Sequence, residues 1–276
     1  MKEGSPEINI IGSTSEGAKE DVRGILEEDG MRREIILEVS KGEREKSAEE
    51  TELVVSVLDR IKEFVIKYGG KPVNCSPENV HFLRDDSVVR EMLTQDPGSV
   101  DDQGFTPLFG KDAYVVCKTP GNNAENAHAV VHEVLHVNSF QSLTWSENRK
   151  GVRRVGFAVR TKNGEFFTGI NEAIIEELTL KFLKKYFSEL AEEPVIEEFY
   201  KKEREVLLEI TNEIYEKSPG KFNSDEDVFN VFASSVMTGK LKEVARLIEG
   251  ARGKGSFREL GKITKDGDKQ PKNITK

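Results

Sequence analysis

One helix-length stretch, HAVVHEVLHVN at residues 128–138, constrains this chain more than any other. Val130, Val131, Val134 and Leu135 leave it little polar face, so a helix here belongs inside the protein. Yet the stretch carries His128, His132 and His136, three of only four histidines in 276 residues. Buried polar groups need partners. The fold must bring something to these imidazoles, and a metal ion is one such partner.

Spacing limits which histidines can share an ion. Positions i and i+4 lie on one helix face, a turn apart. Positions i and i+8 are separated by roughly 12 Å along the axis, whereas zinc ligands lie about 2 Å from the metal. Only an adjacent pair can bind one ion. His128 and His132 enclose AVV, with no acid between them. His132 and His136 enclose EVL, giving HExxH with Glu133 beside the first histidine. In that pattern the histidines hold zinc and the glutamate acts as general base on a metal-bound water. His128 then falls one turn outside the site and is expected at the mouth of a cleft.

A catalytic zinc commonly has three protein ligands and an open position. The fourth histidine, His81, lies upstream, and Cys75 and Cys117 also precede the motif, so a downstream carboxylate is left. GINEAIIEELTLKFL, residues 169–183, offers Glu172 and Glu176 at i and i+4, with Glu177 one position round. By itself this acidic turn better suits a helix start capped by Asn171, where carboxylates complement the helix dipole.

HEVLH followed by GINEAIIEE resembles the gluzincin metallopeptidases, the thermolysin-like group, whose pattern is HExxH on one helix and NExxxD or NExxxE on the next. The likeness is nearest to the small minigluzincin type and spans roughly residues 110–190. It implies an α+β, zincin-like domain with a mixed sheet, a backing helix and an active-site helix, followed by a helical subdomain. It implies Zn²⁺ held by His132, His136 and Glu172, with Glu176 orienting His132 through its other ring nitrogen and Glu133 as catalytic base. The 36 residues from His136 to Glu172 exceed the thermolysin interval, which makes Glu176 the alternative ligand. The resemblance also implies that AYVVCKTP, residues 113–120, is an edge strand pairing with extended substrate, although its pattern fits a core strand equally well. Tyr200, Tyr186, His128, Arg153 and Arg154 are all candidates to stabilise an oxyanion, and the sequence does not choose among them.

The activity so implied is hydrolysis of a peptide or protein substrate. Alternatives are a cytoplasmic regulatory metallopeptidase cutting one partner protein, and a catalytically silent metal-binding scaffold. Glu133 argues against the scaffold, because a structural site needs no base. Net charge of −9 and pI near 5.3 argue against nucleic acid or an anionic membrane as partner. Two distant cysteines exclude a disulfide framework or cysteine zinc knuckle. With no signal-peptide or membrane-span pattern, a cytoplasmic location is expected.

The remaining sequence supplies the frame. Four segments are expected: a lead-in with short strands at 1–45, an α+β part at 46–145, a hairpin and helical part at 146–262, and a mobile tail at 263–276. Strands are expected at INII, at REIILEVS (33–40) and at NVHFL (79–83). Leu53, Val57, Ile61 and Val65, widened by Val54, Leu58 and Phe64, predict a backing helix stopped by Gly69 and Gly70. SVVREML (87–93) suggests a short helix, and the segments 96–112 and 142–151 read as loops. The histidine helix should run from near Asn122 to about Phe140, with Glu125 in a capping box. Residues 152–161 and EFFTG flank a hairpin turn at Asn163 and Gly164, and helices follow from Asn171, over 193–216 and over 225–250.

Overall fold

The structure is a computed structural model that describes residues 9–12, 41–84, 104–106, 111–117, 123–145, 152–161, 164–193 and 199–262. The strand expected at 33–40, the helix at 87–93 and the tail at 263–276 lie outside these residues. The chain is α+β, with two small sheets packed against helices.

The first sheet has the order β2-β3-β5-β4, formed by Glu43–Arg44, Val80–Arg84, Ala113–Cys117 and Gly104–Phe105. β3 and β5 are parallel, while β2 and β4 run antiparallel to their neighbours, so the sheet is mixed. Ala113, Tyr114, Val115 and Val116 are all buried. Two-sided burial is what a continuous apolar run signals. β5 is therefore an interior strand, paired on both sides, and not the edge strand that the resemblance implied. The edge beside it belongs to β4, Gly104–Phe105, in a segment read as loop.

The backing helix α1, Ala48–Lys67, starts at a reciprocal cap between Ser47 and Glu50. Arg44 grips both Glu50 oxygens, at 2.8 and 2.5 Å, and this bond, outweighing burial, holds the Glu50 carboxyl below its usual range. Val54, Val57, Leu58, Ile61, Phe64 and Val65 bury the expected stripe. It packs on α2, Asn123–Asn138, which also touches β5 and α3, Thr168–Tyr186. Thirteen of the sixteen residues of α2 are buried. Valine is a modest helix former, so this helix owes its stability to that packing more than to propensity.

The second sheet follows the order β1-β6-β7-β8-β9, from Asn9–Gly12, Gln141–Trp145, Val152–Val155, Ala158–Thr161 and Gly164–Phe166. Two expectations change here. Residues 141–145, mostly read as loop, form β6, which pairs in parallel with β1 more than 130 positions away and antiparallel with β7. Such a distant partner leaves no local trace in a Ser- and Thr-rich segment with one buried Leu143. The run 152–161 is two strands, because Gly156 adopts φ +56° and turns the chain between β7 and β8. Gly164 opens β9 opposite Thr161.

The remaining helices are α4, Ser188–Ala191; α5, Lys201–Lys217; α6, Asp225–Thr238; α7, Leu241–Arg252; and α8, Ser256–Leu260. The single helix expected over 225–250 is broken at Gly239, whose φ of +77° closes α6. The Phe140 ring lies 2.6 Å from where a Cβ would stand there, so only glycine fits. One apolar core runs continuously from Val54 on α1 to Leu260 on α8. No helix among the described residues is long and apolar enough to cross a membrane.

Candidate metal centre

α2 and α3 present their histidines and glutamates to each other as a ladder. His136 Nε2 lies 3.0 Å from Glu172 Oε2, and His132 Nε2 lies 3.3 Å from the same oxygen. His132 Nδ1 lies 3.1 Å from Glu176 Oε2. His128 Nε2 reaches both Glu176 oxygens, at 2.7 and 2.9 Å. The order 128, 132, 136 on one helix meets 176, 172 on the other, so spacing of four on each side keeps the rungs aligned.

The structure thus brings His132, His136 and Glu172 to one point, and these three can hold a metal ion. The separation of the two Nε2 atoms, 3.1 Å, completes a nearly equilateral triangle with the two distances to Glu172. Ligands of tetrahedral zinc, each about 2.0–2.1 Å from the ion, stand roughly 3.3 Å apart. The donor set passes that test. Glu176 Oε2 accepts from His132 Nδ1, which leaves a lone pair on His132 Nε2. That lone pair, a carboxylate oxygen and a second imidazole nitrogen repel one another unless a metal ion or a shared proton lies among them. His128, His132 and Glu176 form a second convergent group one rung away.

Glu176 is wholly buried. Burial, the largest single influence, would raise its carboxyl, but the charge of His128 and the hydrogen bonds from His128 and His132 outweigh it and hold the group below the usual carboxylate range. Glu176 is therefore a carboxylate that faces His132 from behind the metal position, an arrangement that fixes a ligand's tautomer and ring orientation. Glu177 points elsewhere, accepting from Arg204 Nε at 2.7 Å on α5.

Asn171 does not cap α3, which starts at Thr168 after Phe167 in a left-handed conformation. Its Oδ1 accepts from the Phe157 backbone N–H at 2.9 Å, tying the β7–β8 turn to the ligand helix. A Cβ at Gly156 would meet that oxygen at 2.5 Å.

Glu133, 2% exposed, follows His132 in the chain. Thr106 Oγ1 donates to its Oε2 at 2.8 Å and lies 3.2 Å from its backbone carbonyl. Thr106 was missed in the sequence: it sits just past β4, in the segment read as loop, and no spacing links it to residue 133. His128 is also placed differently from expectation. It is 0% exposed, not at a cleft mouth, with Phe199 stacked on it at 4.4 Å.

Of the oxyanion candidates, Arg154 is committed to the carbonyls of Gly156 and Gly239, at 2.7 and 2.8 Å. Arg153 stands on β7 opposite Leu143 and Arg160. Tyr186 packs on Phe182 at the end of α3. Tyr200 stacks on His132 with ring centroids 5.5 Å apart and nearly parallel. Its φ is +48°, an uncommon conformation for tyrosine, and its buried hydroxyl has no hydrogen-bond partner among the described residues.

No family model, curated protein or solved structure matches the chain.

Proposed function

We propose that this chain is a zinc-dependent peptide hydrolase of the gluzincin type, with a zincin-like arrangement of mixed sheet, backing helix and active-site helix. The observation that carries the reading is the convergence of His132, His136 and Glu172 at zinc-shell spacing, with a buried acid, Glu133, adjacent to the first of them. A structural site has no use for that acid, whereas hydrolysis does.

His132, His136 and Glu172 would hold Zn²⁺. When bound, the ion lowers the pKa of a water toward neutrality and polarises the substrate carbonyl. Glu133 takes the water's proton on its carboxylate and later delivers it to the leaving amine. Thr106, donating to Oε2, holds the carboxylate in place and leaves Oε1 to carry the proton. Glu176 keeps His132 in its Nδ1–H form, so that Nε2 faces the ion. Tyr200 is the preferred group for the oxyanion, since its hydroxyl has no hydrogen-bond partner among the described residues and its ring lies against His132.

The test uses unfolded β-casein with the zinc-loaded full chain and with Glu133→Gln. Cleavage by the wild type should fall about 10²–10⁴-fold in the variant, with zinc retained. Cleavage by the variant at the wild-type rate would remove Glu133 from its assigned role.

A further inference from the structure

We propose that His128 is a positioning residue for the metal centre, acting through Glu176 to set the register of the two ligand helices. The inference rests on the metal reading of His132, His136 and Glu172 and extends it to a residue outside that ligand set.

Glu176 Oε2 is shared by two donors on α2, His132 Nδ1 at 3.1 Å and His128 Nε2 at 2.9 Å. With His132 as its sole contact, this carboxylate could swing about three side-chain torsions. His128 fixes it, because its Nε2 also holds Oε1 at 2.7 Å. An ionised carboxylate only accepts, so His128 Nε2 is the donor to both oxygens. The imidazole is itself fixed: it is fully buried, and Phe199 covers it at 4.4 Å with the planes 25° apart.

Glu172 lies one turn before Glu176 on α3, as His132 lies one turn after His128 on α2. Clamping Glu176 at the outer rung therefore aligns Glu172 with His132 and His136 at the inner one. The third histidine of the helix is then explained: three histidines and two glutamates make a ladder whose outer rung, His128 with Glu176, holds the inner one in step. Outer partners of metal-bound histidines alter metal affinity by about 10–100-fold, and His128 should act in that range although it lies outside the proposed ligand set.

The probe is zinc alone, titrated into the metal-stripped full chain against a chelating indicator. His128→Asn, whose amide falls short of Glu176, should weaken zinc binding about 10–100-fold. His128→Gln, whose amide nitrogen stands near the place of Nε2, should restore it to within a few-fold. Combining His128→Asn with Glu176→Gln should weaken binding no further than Glu176→Gln alone, the signature of action through one carboxylate. The cobalt(II)-loaded protein should show shifted visible absorption in His128→Asn and a wild-type spectrum in His128→Gln. Both substitutions are polar, so a general loss of core packing would affect them alike. Wild-type affinity in His128→Asn, equal losses in both variants, or multiplied losses in the double variant would overturn the role of His128. Failure of the wild type itself to bind zinc would overturn the metal reading beneath it.

Discussion

Among the described residues, two histidine–carboxylate clusters differ in what is left over. On the first sheet, His81 stands between two acids. Its Nδ1 lies 2.9 Å from Glu43 Oε1 and its Nε2 lies 3.6 Å from Asp112 Oδ1, while Tyr114 stacks on the ring at 4.6 Å. Each nitrogen faces its own carboxylate, so one proton on each accounts for the arrangement. In the ladder between α2 and α3, His132 Nδ1 is paired to Glu176 in the same way. Its Nε2, however, faces another imidazole nitrogen and a carboxylate shared with it. Protons satisfy the first cluster; a cation of higher charge suits the second. Histidine beside carboxylate is thus not a metal signature, whereas several lone pairs aimed at one point are.

The sharpest way to break this comparison is to remove one acid from each cluster. Glu172→Ala should abolish stoichiometric zinc binding, because it takes away one of three convergent donors, while Glu43→Ala leaves zinc content unchanged by mass spectrometry. Equal effects would erase the distinction. Next in size, Glu176→Ala should destabilise the metal-free protein by about 3–5 kcal/mol in chemical denaturation, since it strips two buried histidines of their shared partner. A loss below 1 kcal/mol would mean that the ladder contributes little to the fold. Gly156→Ala should cost roughly 1–3 kcal/mol, because φ there is +56° and the new Cβ would strike the Asn171 oxygen that braces the ligand helix; an unchanged midpoint would remove that brace from the account.

The smallest effect belongs to His81. Burial, the largest influence, would lower its pKa, but Asp112 and Glu43 raise it above the ordinary 6.5. Reciprocally, the His81 bond, outweighing burial, holds Asp112 low. A histidine raised on folding contributes stability that is complete below pH 6.5 and fades as pH climbs through the folded value. Wild-type stability should therefore decline by up to about 1 kcal/mol across that range, and His81→Phe should abolish the decline. The same slope in both proteins would show that His81 is not its source.

The ladder was legible in the sequence as far as helical geometry carries. Spacing of four selects which histidines, and which glutamates, can share a face, but naming His132, His136, Glu172 and Glu176 as one cluster took the resemblance to the gluzincin pattern. Geometry along one helix does not say what lies across from it. His128 was expected at a cleft mouth because nothing in residues 128–138 reveals that Glu176 and Phe199 enclose it. Thr106 was invisible for the same reason. Among the sheets, the apolar run of β5 showed a strand but not its place between β3 and β4. β6 escaped because its pairing with β1 outweighs its own polar composition. Gly239 and Gly156 each end an element that periodicity alone would have continued.

The central claim is that three lone pairs converge to hold one ion, and native mass spectrometry of the full chain after exposure to zinc and removal of the excess tests it most directly. The account predicts one zinc per chain in the wild type and in Glu133→Gln, and none in Glu172→Ala. A wild-type chain that emerges metal-free would contradict it, and would leave the inner rung of the ladder bridged by a proton on His136.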